Sequence, residues 1–212
     1  MLYECLLRME RPDGQIISAG EFIAVAEQLG LSRLIDRRTL ELSIEILKKN
    51  PSIRLSVNVS GLTASDHEWL VTLHRLTGGR RALTERLTIE ITETAAMHDL
   101  DLSINFVDTL KELGCQVAID DFGAGYTSFK NLKILNVDMV KIDGAFIKNL
   151  ASDPHDMVFI RALRDLATTF GIETVAEWVQ DERTVEMLRV AGITYMQGFY
   201  CGVPVLASEF KG

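Results

Sequence analysis

The sequence predicts an α/β fold in which parallel strands close into a barrel, and three observations carry that reading. Short apolar runs of β type alternate with longer helical periods from end to end of the 212-residue chain. The strand runs are nearly continuous in apolar character, as in a sheet covered on both faces. Polar residues recur at the ends of successive runs: Asn58, Glu90, Asp120 with Asp121, Lys141, Glu177 and Gln197. A closed ring gathers such ends about one centre, whereas an open sheet spreads them along a line. A doubly wound sheet would also carry a phosphate-binding glycine loop after its first strand, and the sequence has none there.

Strands are expected at Tyr3 to Met9, Leu55 to Ser60, Leu87 to Thr92, Gln116 to Asp121, Met139 to Asp143, Glu173 to Ala176 and Tyr195 to Phe199. Helices are expected around Gly20 to Leu29, Ile35 to Lys48, Asp66 to Thr77, Leu102 to Leu113, Thr127 to Leu135, Asp156 to Phe170 and Asp181 to Ala191. Gly30, Gly114, Gly171 and Gly192 stand just past helices, where a left-handed residue ends the helical turn. No linker, low-complexity segment or short repeat divides the chain, so one domain over residues 1–212 is expected.

Composition narrows the function classes. With 47% hydrophobic and 25% charged residues the chain can bury one substantial core. Lys plus Arg number 22 against 30 Asp plus Glu, a net charge of −8, and no basic stretch exceeds Arg37-Arg38 or Arg80-Arg81. Extended nucleic acid would need a cationic footprint, so it is not an expected partner. Cys5, Cys115 and Cys201 are far apart in apolar surroundings and read as reduced, buried thiols. The chain has no run long enough to span a membrane and no signal-peptide order at its start. A cytoplasmic location without membrane contact by this chain is expected.

The chemistry concentrates at Asp120 and Asp121, which close the apolar run Val117-Ala118-Ile119 and open the turn Phe122-Gly123-Ala124-Gly125-Tyr126. Neighbouring carboxylates in a half-desolvated site raise each other's pKa unless a cation holds them ionised. Asn58, Glu90 and Asp143 add oxygen donors, and there is no His/Cys cluster for zinc. Such a set suits Mg²⁺ or Mn²⁺, and a pair of ions sharing Asp120 fits phosphodiester hydrolysis. Lys141 would orient water or neutralise phosphate. Taken singly, each residue has a plainer role: Asn58 as a strand-end hydrogen bonder, Glu90 facing solvent, Lys141 and Asp143 as a surface pair. His67, His74, His98 and His155 lie in helices or loops away from strand ends and receive no role.

These residues resemble the EAL-domain family of cyclic di-GMP phosphodiesterases over nearly the whole chain. The matching segments, in the family's order, are Tyr3-Glu-Cys-Leu-Leu-Arg8 with Cys5 in place of alanine, Val57-Asn-Val-Ser60, Ile89-Glu-Ile-Thr-Glu93, Asp120-Asp-Phe-Gly-Ala-Gly-Tyr-Thr-Ser128, Val140-Lys-Ile-Asp143, Val175-Ala-Glu177 and Gln197-Gly-Phe199. The resemblance implies a modified (β/α)8 TIM-type barrel that hydrolyses one phosphodiester of cyclic di-GMP to the linear dinucleotide. It implies Glu4, Asn58, Glu90 and Asp120 as ligands of one metal, and Asp120, Asp121 and Glu177 as serving a second metal or the attacking water. Lys141 would sit beside that water, with catalytic roles falling on Glu177, Lys141 and Asp121. Arg8 would meet a substrate phosphate, Asp143 and Gln197 would line the substrate side, and Glu93 would brace the Asp121-to-Thr127 loop. Mg²⁺ or Mn²⁺ would support turnover, with Ca²⁺ binding without it. A homodimer through that loop and the adjacent helix, and flanking regulatory domains, are further implications. Glu4 enters by resemblance alone, because it lies at the start of its apolar run.

Three departures stand out. The family's first N-terminal strand, before the Glu4 strand, is expected to be lacking here. Trp178 stands where glycine is usual, and Gln180 where a second glutamate is usual; Gly202-Val203-Pro204 replaces a pattern with a basic residue before the proline. The alternatives are a catalytically weak or inactive module of the same fold that binds the dinucleotide and signals, and an unrelated barrel hydrolase acting on another phosphoester.

Overall fold

The computed structural model describes residues 1–123 and 129–210, and the chain falls into two compact units. The first comprises Met1–Glu90, Thr109–Gln116 and Leu206–Gly212. Its chain opens with β1 (Leu2–Cys5), β2 (Arg8–Glu10) and β3 (Ile16–Ser18), followed by α1 (Ala19–Gln28) and α2 (Ser32–Lys49). Then come β4 (Arg54–Asn58), a 3₁₀ turn (Thr63–Ser65), α3 (His67–Thr77), the short α4 (Arg81–Thr84) and β5 (Leu87–Thr92), whose last residues enter the second unit. Strands β1, β4 and β5 lie side by side and parallel, with Glu4 opposite Ser56 and Asn58 opposite Glu90. Leu40, Ile44 and Leu47 fall on one face of α2, and with Trp69 and Leu73 of α3 and Leu55, Val57, Leu87 and Ile89 of the strands they are buried in the core. Helix starts are capped: Glu21 accepts the Ser18 N–H at 2.9 Å, and Asp66 accepts the Glu68 N–H while pairing with Arg37 at 3.0 Å.

The second unit comprises Ile91–Asp108 and Val117–Val205. Beyond β5 the chain forms α5 (Glu93–His98), α6 (Leu100–Glu112), β6 (Gln116–Phe122), α7 (Phe129–Ile134), β7 (Met139–Ile142), α8 (Gly144–Lys148), α9 (Pro154–Phe170), β8 (Glu173–Ala176), α10 (Glu182–Ala191) and β9 (Tyr195–Met196). Strands β6, β7, β8 and β9 are neighbours in that order, all parallel. Every residue of β7 is buried. Ile160, Leu163 and Ala167 of α9 are likewise buried. Gly171 and Gly192 end α9 and α10 at φ of 72° and 81°, as their positions in the sequence predict.

The α/β class with parallel strands and helical crossovers is as expected, and the main elements fall within a few residues of their predicted spans. Two strand assignments are corrected. The run from Tyr3 to Met9 is two strands, because the chain leaves the parallel ladder after Cys5 and Arg8–Glu10 pairs antiparallel with Ile16–Ser18. The turn that reverses it, Arg11-Pro12-Asp13-Gly14, carries the turn signal Pro-Asp-Gly with Gly14 at φ 84°. The last strand stops at Met196 rather than Phe199, since the Gln197 N–H and C=O bond Ala176 and Val179 in an irregular loop. The thiol expectation is corrected as well: Cys115 is buried and Cys5 partly so, but Cys201 is exposed. No helix among the described residues is long and apolar enough to cross a membrane.

Candidate active site

The split of the first strand changes the standing of Glu4. It is the penultimate residue of β1, so it lies at a C-terminal strand end like the other acids. Asn58 is the last residue of β4 and its Nδ2 donates to Glu4 Oε1 at 2.7 Å. That bond directs the amide oxygen of Asn58 elsewhere as an acceptor. Glu90, directly opposite Asn58 on β5, is 2% exposed, which rules out the solvent-facing alternative. Within the first unit, then, Glu4, Asn58 and Glu90 come together in the C-terminal halves of three adjacent strands. Their charges register on a neighbour: burial first, and then Glu4 and Glu90, hold the Cys5 thiol above its ordinary pKa, against a hydrogen bond with Ser43 that lowers it.

Asp36 was not anticipated. It continues the buried stripe of Leu40, Ile44 and Leu47 on α2, so an acid at an apolar position was the available signal. Its Oδ2 accepts the Ser60 N–H at 3.0 Å and the Ser60 and Thr63 hydroxyls at 2.6 Å each. These bonds fix the turn that follows Asn58.

The second cluster is built on β6, β7 and β8. Successive residues of a regular strand point to opposite faces, so Asp120 and Asp121 would diverge. The β6–β7 register instead breaks between Ile119 and Phe122, and Asp121 adopts φ 53°. This irregularity turns both carboxylates to one side, as bulges near functional sites do. Oxygens of Asp120, Asp121 and Glu177 can all lie within 4.8 Å of one another. Asp120 is buried, Glu177 half-buried and Asp121 exposed.

Lys141 occupies the middle of this cluster. Its side chain is 2% exposed, and Nζ lies 3.1 Å from Asp120 Oδ1 and 2.8 Å from Glu177 Oε1. A surface pairing with Asp143 is thereby excluded. Asp143 caps α8, accepting the Ala145 N–H at 2.6 Å, and its charge still reaches Asp121. The Asp121 carboxyl is held above the ordinary aspartate range by desolvation first, then by the charges of Asp120 and Asp143, with Lys141 opposing. Asp120, Asp121 and Glu177 gather hard oxygen donors beside Lys141, a set suited to a divalent cation.

Glu93, 2% exposed, accepts the Gly123 N–H at 2.7 Å and so holds the turn after Asp121. The rest of the predicted loop, Ala124 to Thr127, lies outside the described residues, and with it the loop part of the expected dimer contact. Gln197 follows β9, its backbone fixed against Ala176 and Val179. Arg8 opens β2 on the surface and donates to the Leu7 carbonyl at 3.0 Å. The four histidines lie in α3, α5 and α9, none at a strand end.

Fold and side chains together define a class: an α/β protein on parallel strands, with acid and amide side chains towards the strands' C-terminal ends in one unit and acids with a lysine there in the other. The chain belongs to the EAL domain family, whose sequence model matches residues 1–204. It is 35% identical over 206 residues to the cyclic di-GMP phosphodiesterase PdeF of Escherichia coli K12, a match covering 95% of this chain and 28% of PdeF. The chain thus spans about a quarter of that relative's length. Among solved structures it resembles the PaMucR phosphodiesterase in complex with c-di-GMP, with a TM-score of 0.90, 32% identity, and coverage of 97% of this chain and 85% of that one. The FimX EAL domain from Pseudomonas aeruginosa bound to c-di-GMP gives a TM-score of 0.86 at 30% identity, covering 93% and 81%.

Proposed function

We propose that this chain hydrolyses one phosphodiester bond of cyclic di-GMP, releasing the linear dinucleotide, with divalent cations as cofactors. The observation that carries the reading is Lys141, buried between Asp120 and Glu177 with Asp121 beside them. A buried ammonium held by two carboxylates is costly as a stabilising device, and it is well suited to phosphoryl chemistry. The family membership and the named activity of PdeF support the substrate.

Glu4, Asn58 and Glu90 from the first unit and Asp120, Asp121 and Glu177 from the second are the proposed cation ligands. Mg²⁺ or Mn²⁺, when bound, would lower the pKa of coordinated water and neutralise phosphate charge. Glu177 takes the proton of the attacking water as its oxygen bonds to phosphorus and the P–O bond to the sugar breaks. The departing sugar oxygen is protonated from solvent. Lys141 fixes the orientation of Glu177 and Asp120 and directs an N–H at a phosphate oxygen. Arg8 is the proposed contact for a second phosphate, and Asp143 and Gln197 for the substrate's flanks. Residues 1–212 are read as one catalytic domain of a cytoplasmic signalling protein. Its other domains would be regulatory, and a homodimer would form through the loop after Asp121 and its adjacent helix.

Incubation of the purified chain with cyclic di-GMP in Mn²⁺ or Mg²⁺, against an EDTA control and beside a binding titration in Ca²⁺, tests the proposal. Cation-dependent appearance of the linear dinucleotide is expected. Binding without turnover would replace hydrolysis by a receptor role, and faster cleavage of a monoester or of the linear dinucleotide would remove the assigned substrate.

A further inference from the structure

Trp178 directly follows Glu177 and takes up φ 56°, a conformation that costs a bulky residue and that glycine adopts freely. Its indole lies along α8. The ring meets Gly144 so closely that a Cβ on Gly144 would collide with it, and Lys148 Nζ sits 3.7 Å from the ring centroid. Gly144 and Lys148 are four residues apart and therefore share one face of that helical turn. The Lys148 ammonium stands over one face of the indole and Gly144 meets its Cγ, Cδ1 and Nε1 atoms, yet the residue is 49% exposed. A tryptophan kept only for packing would be buried; here a strained backbone holds a half-exposed indole directly after Glu177 of the acid cluster.

We propose that the exposed part of the Trp178 ring is a stacking platform for a planar heteroaromatic ring of the ligand, a purine base of cyclic di-GMP; this rests on the function proposed above. Aromatic stacking suits this position because the charged cluster and its cations serve the phosphates, while ring contact supplies attraction for a base that does not depend on charge. Lys148 holds the ring from behind through its ammonium. Trp178 is accordingly a specificity residue that acts in binding, without a part in proton transfer.

The test compares the wild-type chain with Trp178→Gly and Trp178→Phe. Equilibrium dialysis of cyclic di-GMP in Ca²⁺ is expected to show Kd raised about tenfold in Trp178→Gly and less in Trp178→Phe. In turnover the loss falls on KM more than on kcat. The chain has two tryptophans, and Trp69 is fully buried. Ligand should therefore quench indole fluorescence in the wild type and leave Trp178→Phe unquenched. Trp178→Gly should keep its melting temperature, since glycine relieves the backbone. Equal Kd for Trp178→Gly and wild type, or quenching that survives in Trp178→Phe, overturns the stacking role while the proposed function stands. Failure of the wild-type chain to bind cyclic di-GMP in dialysis overturns both.

Discussion

Lys141 Nζ lies 2.8 Å from Glu177 Oε1, an ion pair from β7 to the residue just past its parallel neighbour β8, in which the lysine side chain is 2% exposed. Because the same ammonium meets Asp120 at 3.1 Å, it holds two carboxylates that would otherwise repel.

Replacing Lys141 by Met should remove turnover by two orders of magnitude or more, as expected when a preorganised charge at a transition state is lost. Uncompensated buried carboxylates cost about 3–5 kcal/mol, so the melting temperature should fall in EDTA. Added Mn²⁺ should recover part of the lost stability by taking over the neutralisation. A variant that melts like the wild type in EDTA would contradict the buried pairing.

Asn58→Asp places a second carboxylate 2.7 Å from Glu4, at the site of the present amide contact. Stability without cation should drop by about 1 kcal/mol or more, and Ca²⁺ should raise the melting temperature of this variant further than that of the wild type. Thermal scans with and without Ca²⁺ decide it. An equal shift in both would mean that Glu4 and Asn58 face no cation.

Gly123→Ala combines a φ of 101° with a Cβ that would stand 2.6 Å from Phe146 and 3.0 Å from Phe159. Overpacking and left-handed strain together should cost about 2–4 kcal/mol. Glu93→Ala should leave the Gly123 N–H without its carboxylate acceptor and lower turnover with a smaller loss of stability, measurable by kinetics beside chemical denaturation.

Cation binding should weaken on acidification. The Asp121 carboxyl is raised above its ordinary value of 3.8 by desolvation and by Asp120 and Asp143. A raised acid contributes stability while protonated, fully below the ordinary value, and that contribution is lost as pH rises through the raised one. The cation needs the ionised form and competes with that proton. The stabilisation given by Mn²⁺ should therefore fade as pH falls towards the raised pKa of Asp121, as calorimetric titration at several pH values would show.

Thiol labelling separates the three cysteines. Cys201 is exposed, whereas burial pushes the Cys115 thiol up to about 12. At about pH 8 in the native state Cys201 should react first and Cys115 last. Mass mapping of the alkylated sites reads the order directly, and early labelling of Cys115 would contradict its burial.

Much of this protein was legible in its sequence, because hydrophobic period and helix-ending glycines act locally. They located β5 and β8 at Leu87–Thr92 and Glu173–Ala176 and brought most other main elements within a few residues. Residue chemistry near the strand ends also singles out Asn58, Glu90, Asp120, Asp121, Lys141 and Glu177 from sequence alone. What only the tertiary structure decided depends on partners distant in sequence. Glu4 became a strand-end acid when β1 left its ladder after Cys5, and Asp36 gained its purpose from Ser60 and Thr63. The acid pair is the clearest case. A regular strand sends Asp120 and Asp121 to opposite faces, and no local rule in the sequence says otherwise. Their convergence follows from the broken register against β7 and from the positive φ of Asp121, which pairing with a neighbouring strand imposes and sequence pattern does not encode.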